Sequence, residues 1–351
     1  PVFDRTLVQS SATVAYSVFD GGARGARLAR ASAQQQATRA QSDIALQALL
    51  ADVTRRYAAV LVAREVLAAH DARVAALELE RARARQLLEQ GRVPRVVLLR
   101  AEASLSAAVA EQSATRVRVD AAERELARVM GVDAAAVTGA TLAPAAPSHT
   151  VAAREDAVQH ALSQNAELRR LSDQAAAAHA TVTEANAQWW PRLHFGGRYV
   201  HYASGAGDPV GEWQAGVQVS YPLFTAGARP AAIDRARAEE VAARAELQAA
   251  RLRVADAVDR AYAAVDAARA RAAAWQSAVV QMEEVARIER LALDQGAGVQ
   301  TDWLSAQSEL LRARASLVEA RHDELVARVE LARATGELTT AWIMDNVETV
   351  R

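Results

Sequence analysis

The sequence predicts a mostly α-helical protein with a small β part, built as two tandem structural repeats. Alanine supplies much of the apolar content of 51%, and it is mixed with Arg, Glu, Gln and Leu, a composition typical of long packed helices. A proline-free run extends from about Ala23 to Gln90, and the second half of the chain repeats the first at an offset of 205 residues.

The repeat is anchored by landmarks that a low-complexity Ala/Arg composition would not keep in one register. Tyr16-Ser-Val-Phe-Asp-Gly-Gly-Ala-Arg24 matches Tyr221-Pro-Leu-Phe-Thr-Ala-Gly-Ala-Arg229, and Gln90-Gly91 matches Gln295-Gly296. No gap interrupts the match across residues 16 to 131. We therefore divide the chain into a first repeat (1–131), an equatorial linker (132–152) and a second repeat (153–351).

Each repeat contains a long helix, a glycine-containing turn and a returning helix. Apolar residues on the first long helix step by three, four and seven, the spacing of a coiled-coil seam: Leu46, Leu50, Val53, Tyr57, Val60 and Leu67. Such a helix, at 1.5 Å per residue, would be roughly 100 Å long. The pattern predicts antiparallel coiled-coil hairpins, with long helices at 23–90 and 228–295 and returning helices at 96–129 and 301–335.

The segment between the hairpins is predicted to be irregular and then helical. Gly131 to Pro147 is rich in Ala, Gly, Thr and Pro, as in a connection without regular structure. A shorter helix is expected from about Ala153 to Gln188, ending at Trp189-Trp190-Pro191, because proline disfavours helical geometry in the preceding residue.

Alternating apolar and polar residues predict three strands, at 8–18, 192–202 and 212–224, the last two joined by a loop at 203–211. A small soluble sheet that caps a coiled coil is one interpretation. Aromatic residues near the strand ends favour transmembrane strands at a lipid interface instead. Three or four strands cannot close a barrel, so a barrel would require several subunits.

Several kinds of chemistry are excluded or disfavoured by composition. The 41 cations, all Arg, balance 42 acids at a net charge of -1, which gives no reason to expect nucleic acid binding. Cysteine is absent, the seven histidines lack metal-ligand spacing, and a phosphate-binding loop at Gly21–Gly25 would need a lysine that the chain lacks. No apolar run is long enough for a transmembrane helix. We expect no enzymatic activity, no metal and no cofactor.

The order of these motifs resembles the TolC-like family of outer-membrane efflux proteins. The resemblance rests on the strand-to-helix junctions at Tyr16 and Tyr221, the strand entry Trp190-Pro-Arg-Leu193, and the Gln-Gly helical tips at Gln90 and Gln295. It implies a homotrimer whose subunits share a twelve-stranded barrel in the outer membrane of a Gram-negative bacterium, with a helical tunnel extending into the periplasm. The implied function is a passive export duct for small molecules or proteins, in tripartite efflux or type I secretion.

The implied partners are a periplasmic adaptor, outer-membrane lipid, and an inner-membrane transporter of the resistance-nodulation-division, ATP-binding-cassette or major-facilitator type. The other function that we consider is a soluble coiled-coil scaffold or adaptor with a small β-cap. Subtracting the repeat offset from residues 153–202 places a helix and a strand before residue 1. We therefore expect an N-terminally incomplete family member, with an upstream segment or a removed signal peptide.

The resemblance also implies three groups of site residues. Asp302 would contribute to an acidic periplasmic entrance together with Gln300 and Ser305, although an acid at a helix start is also favoured by the helix dipole. The adaptor would dock on the tips at Gly91, Val93, Gly296, Gly298 and Val299, where glycine also suits a tight turn. The membrane-interface aromatics would be Trp189, Trp190, Trp213, Tyr221 and Phe224.

Overall fold

The computed structural model describes residues 7–140, 145–147, 153–204 and 207–349. The elements in chain order are β1 (Leu7–Phe19), α1 (Ala23–Glu89), α2 (Arg95–Met130), β2 (Ala145–Pro147), α3 (Arg154–Gln164), α4 (Ala166–Asn186), β3 (Arg192–Ser204), β4 (Gly207–Ser220), α5 (Ala228–Asp294), α6 (Gln300–Thr335), α7 (Thr340–Asn346) and β5 (Val347–Thr349).

The long helices and the returning helices confirm the predicted bounds to within one residue at each end. Helices α1 and α5 each contain 67 residues, and α5 begins and ends 205 residues after α1. The returning helices α2 and α6 each contain 36 residues and keep the same offset. Both returning helices end at a glycine with a positive φ, Gly131 at 68° and Gly336 at 85°, which leaves the last carbonyls bonded to the cap.

Contacts group the described residues into two units. The sheet unit contains the described residues up to Ser42 together with Ala166–Arg251, and the hairpin unit contains Asp43–Asn165 and the described part of Leu252–Arg351. Alanine is the commonest buried apolar residue in both, so the helices approach closely over small side chains. This grouping reflects contacts in space, and the division of the chain into repeats stays a prediction.

The single helix predicted from Ala153 to Gln188 is wrong, because Asn165 interrupts it. Asn165 has an extended backbone (ψ 128°) and separates α3 from α4. Its side-chain Nδ2 donates to the carbonyl of Ala334 at 2.9 Å, and a Cβ added to Gly336 would lie 3.0 Å from the Cα of Asn165. The break therefore follows from close contact with the end of α6, not from local helix propensity.

The sheet has the strand order β1-β3-β4, with both pairs antiparallel. Strands β1 and β3 confirm the predicted strands. The predicted strand 212–224 differs, since β4 begins at Gly207 and ends at Ser220. Pro222 has no N–H to donate to a ladder, which accounts for the earlier end. The loop expected at 203–211 is correspondingly shorter, and residues 205 and 206 lie outside the described residues.

The segment after α2 contains more structure than the sequence predicts. Ala134–Ala136 forms a 3-10 turn capped by the Asp133 carboxylate, and β2 pairs with β5. Arg64 on α1 holds this segment: its guanidinium donates to the carbonyl of Ala140 at 2.6 Å and to the buried carboxylate of Glu123 at 2.9 Å. Residues 141–144 and 148–152 of the predicted linker lie outside the described residues.

Candidate functional site

The two hairpin tips in the hairpin unit are closed by similar turns with different residues. Gly91 (φ 69°) closes the α1–α2 turn, and Gly296 (φ 74°) closes the α5–α6 turn. A Cβ on Gly298 would lie 3.0 Å from the Cβ of Ala292 and 3.1 Å from a backbone nitrogen, so a side chain here would crowd the end of α5. The matching position of the first tip holds the half-buried Val93. The predicted docking residues thus form two unlike surfaces.

The three predicted entrance residues lie at the start of α6, but they do not share one environment. Asp302 and Ser305 are exposed, and the Asp302 carboxylate accepts a hydrogen bond from the Thr301 hydroxyl at 3.3 Å. Gln300 is only 7% exposed, and its Nε2 donates to the carboxylate of Glu80 at 3.1 Å. Gln300 therefore holds α6 against α1. Of the three residues, only Asp302 carries a charge, and that charge is exposed.

Beneath the second tip lies a buried ion network that sequence reasoning missed. Glu80 on α1 is 4% exposed, and its second carboxylate oxygen accepts a hydrogen bond from Arg290 on α5 at 3.1 Å. The Arg290 guanidinium also lies 5.1 Å from the centre of the Trp303 ring, which is buried. Trp303 packs with Leu77 and Leu105 in the apolar core of this part. Helices α1, α5 and α6 are thereby joined near the second tip.

A second ion pair lies beside this network. Arg83 on α1 is hydrogen-bonded to Asp294, the last residue of α5, and Arg290 approaches the same carboxylate at 3.4 Å. The hydrogen bond from Arg83 lowers the pKa of Asp294, against a smaller effect of desolvation. The carboxylate therefore stays ionised to lower pH than a free aspartate, and the stabilisation that it gives is lost only as pH falls through this lowered pKa.

The sheet unit carries the predicted membrane-interface aromatics, all exposed on this chain. Each of the five side chains is at least 43% exposed: Trp189, Trp190, Trp213, Tyr221 and Phe224. On β4, Trp213, Val217 and Val219 occupy one face while Gln214 and Gln218 occupy the other. One face of the sheet is therefore apolar and open, and the opposite face is polar.

Each strand-to-helix junction contains a Tyr–Arg contact that accounts for the spacing of the sequence motif. Arg24 lies 5.3 Å from the ring centre of Tyr16, and Arg229 lies 5.1 Å from that of Tyr221. Trp189 adds a second ring to Arg229, at 5.3 Å, while Trp190 packs edge-on against Phe19 at 6.4 Å. The Trp189-Trp190 pair thus supplies one ring to each junction.

The described residues contain neither a cluster of potential metal ligands nor a helix suited to cross a membrane. In these parts of the chain, His, Asp and Glu side chains form no group of three or more that could hold a metal ion. None of the described helices combines the length and the apolar character that crossing a bilayer requires.

Comparison with known proteins places these features in a family. The family model described as "Outer membrane efflux protein" matches residues 2–132 and 157–337. The outer membrane efflux protein BepC of Brucella suis is 27% identical over 335 residues, which cover 92% of this chain and 70% of BepC. The alkaline protease secretion protein AprF of Pseudomonas aeruginosa is 25% identical, over 93% of this chain and 68% of AprF.

Solved structures share the fold at lower sequence identity. The outer membrane protein VceC of Vibrio cholerae has a TM-score of 0.76 at 19% identity, covering 95% of this chain and 87% of VceC. The CmeC outer membrane channel of Campylobacter jejuni has a TM-score of 0.80 at 13% identity, covering 97% of this chain and 80% of CmeC.

Proposed function

Because this chain belongs to the outer membrane efflux protein family, and is thus an outer-membrane channel subunit of efflux or type I secretion systems, we propose that three copies assemble into one passive export duct. Each copy contributes its strands to a shared barrel in the outer membrane, and the long helices continue as a tunnel in the periplasm. The cargo is a small molecule or a protein, as the relatives' efflux and protease-secretion names suggest.

The observation that carries this proposal is the open apolar face of the sheet. Trp213, Val217 and Val219 are 79%, 66% and 67% exposed, an arrangement that costs free energy in water but not against lipid. Strands β1 and β4 form the two edges of the sheet, and pairing with strands of other copies would satisfy their backbone groups. A soluble scaffold with a β-cap would leave both the face and the edges uncovered.

At the proposed periplasmic entrance, Asp302 supplies the charge. Threefold symmetry would bring three copies of this exposed carboxylate to one constriction and favour cations there. Ser305 would add a neutral polar side chain, and Gln300 would shape the entrance by holding Glu80. Energy for export would come from the partners, an inner-membrane transporter and a periplasmic adaptor, and the duct itself would need no cofactor.

The adaptor is proposed to dock on the two tips. Gly91 and Val93 form one surface, and Gly296, Gly298 and Val299 form the other, where Val299 is 57% exposed. Small residues let a partner helix approach the backbone closely, and the exposed valine offers an apolar contact. The two tips differ in sequence, so the adaptor would recognise two unequal sites per copy.

The Asp302→Ala variant tests the duct and its entrance together. The full-length protein should extract from outer membranes as a trimer that migrates as a monomer only after heating, and it should conduct ions in a planar bilayer. Block by a trivalent cation added at the periplasmic side should weaken in the variant on the order of tenfold, because three carboxylates leave the constriction.

Ser305→Ala is the matched control: it removes an entrance side chain that carries no charge, so block by the cation should stay unchanged. If Asp302→Ala lowers only the thermal stability and leaves the block intact, Asp302 is simply a helix-start acid and the entrance assignment is wrong. A monodisperse, detergent-free monomer of the full-length protein would contradict the duct itself.

A further inference from the structure

The two strand-to-helix junctions of the sheet unit differ in one feature, a carboxylate. At the first junction, an oxygen of Asp20 accepts a hydrogen bond from the backbone N–H of Arg24 at 2.8 Å and lies 3.3 Å from the guanidinium of Arg27. This acid neutralises the start of α1, where the unpaired N–H groups of a helix attract negative charge. The position 205 residues later holds Thr225.

The start of α5 has no such acid. Residues 221–233 contain neither Asp nor Glu, and the first turn of α5 contains no acidic residue. In the described part of the chain, the backbone N–H of Arg229, the counterpart of the capped N–H of Arg24, forms no hydrogen bond. The helix start is accessible, since Ala228 is exposed. The second junction thus presents the unbonded N–H of Arg229 without the anion of the first junction. Pro230 stands in the place of Gly25, so this helix start has one N–H fewer.

The side chain of Arg229 provides an independent second observation at the same junction. It is 5% exposed between the rings of Trp189 and Tyr221, and its Nε and Nη2 are buried without a hydrogen-bond partner. Arg24 differs, because it is exposed and its Nη2 donates to the carbonyl of Ser17 at 3.1 Å. The two ring faces attract the charge of the guanidinium, but they offer no acceptor to its Nε and Nη2, and a buried donor without an acceptor is costly.

Apolar side chains beside these donors indicate what kind of anion would fit. Leu223 and Phe224 are 89% and 87% exposed, more than Val18 and Phe19 at 53% and 44% in the first junction. Trp189 and Trp190, which are half exposed, complete a surface of the type found where protein meets the polar and apolar layers of a membrane. An anionic headgroup with acyl chains attached would contact both the donors at the helix start and the apolar side chains beside them.

We propose that the start of α5 is a binding site for the phosphodiester of a membrane glycerophospholipid. One phosphate oxygen accepts a hydrogen bond from the backbone N–H of Arg229, at the place that Asp20 occupies in the first junction. A second phosphate oxygen accepts a hydrogen bond from the Arg229 guanidinium. The acyl chains lie on Leu223 and Phe224. This site rests on the proposed outer-membrane location of the sheet, and it fixes the depth of one junction in the membrane.

The test is the Thr225→Asp variant. Its new carboxylate should accept the backbone N–H of Arg229, as Asp20 accepts that of Arg24, and so compete with the lipid phosphate. The probe is dihexanoylphosphatidylglycerol, titrated into the purified full-length trimer by calorimetry. Thr225→Asp and Arg229→Gln should each weaken its binding about tenfold, the effect of losing one charge-assisted contact. Arg24→Gln at the first junction is the control and should leave binding unchanged.

Two further titrations distinguish a lipid phosphate from free inorganic phosphate as the ligand. Inorganic phosphate should bind at least tenfold more weakly than the lipid, and dihexanoylglycerol, which lacks phosphate, should be insensitive to Thr225→Asp. Equal affinity for inorganic phosphate would overturn the lipid assignment. Unchanged lipid binding in Thr225→Asp would overturn the site.

A protein carboxylate is the competing occupant of the donors. If Thr225→Asp leaves lipid binding unchanged but weakens trimer or adaptor association, the donors are filled by another chain and the proposal is wrong. Ion conductance of the wild-type trimer is measured in the same preparation, so that failure of the lipid site is told apart from failure of the channel.

Discussion

Replacing Gly21 with alanine is expected to destabilise the sheet unit by about 2–5 kcal/mol. Two effects add: Gly21 has a φ of 66°, which costs a residue with a Cβ about 1–2 kcal/mol. The added Cβ would also lie 2.7 Å from the Cβ of Trp190 and 2.8 Å from the carbonyl oxygen of Ala187, an overpacking that costs about 1–3 kcal/mol. The denaturant midpoint of the helical circular dichroism signal would measure the loss.

The second junction offers the matched control for Gly21. Ala226 occupies the same place 205 residues later, with a φ of 45°, and it is exposed. Ala226→Gly should therefore be neutral or stabilise by up to about 1 kcal/mol. Equal midpoints for Gly21→Ala and the wild type would show that Trp190 does not pack on this junction as described.

Glu80→Ala is expected to destabilise the region beneath the second tip by about 2–4 kcal/mol. Removing one partner of a buried pair leaves the other without compensation, and Gln300 would lose the acceptor of its Nε2 while its Oε1 is already unpaired. The value stays below the usual range for buried pairs, because Arg290 is 39% exposed and keeps Asp294 as a partner.

Hydrogen exchange would locate this effect. Amides at the start of α6, from Gln300 to Ala306, should exchange about a hundredfold faster in Glu80→Ala. Glu78→Ala is the control, since Glu78 is exposed on the same helix and should change stability by less than about 0.5 kcal/mol. Equal exchange in the two variants would contradict the network.

The long helices and the strands were predictable because the signals that specify them are local. Helix bounds follow from long runs without proline or glycine beyond the first turn, and from glycines such as Gly91 and Gly296, where the turn requires a positive φ. The repeat lets each long helix be predicted twice, from two copies of the same pattern, and α5 begins and ends at the same offset from α1. Alternation of side chains gave β1 and β3 for the same reason.

The features that the sequence did not predict depend on distant residues. Asn165 breaks a helix-compatible segment because its side chain bonds to Ala334, far along the chain. Glu80 and Arg290 look like any other charges on Ala- and Arg-rich helices, and nothing local distinguishes the buried carboxylate from a solvated one. Arg229 and Arg24 share one motif, yet only the structure separates the buried guanidinium from the exposed one.

The central claim, that the apolar face of the sheet meets lipid in the outer membrane, can be tested with two neighbouring residues of β4. Val217 and Gln218 are both exposed on this chain but point to opposite faces. These 351 residues contain no cysteine, so Val217→Cys and Gln218→Cys each introduce one reactive thiol here.

Intact cells that express each full-length variant would be treated with a small membrane-impermeant maleimide. Gln218→Cys should be labelled through the lumen, whereas Val217→Cys should stay unlabelled until detergent removes the lipid. Equally rapid labelling of both cysteines in intact cells, as on a sheet with water on both faces, would contradict the account.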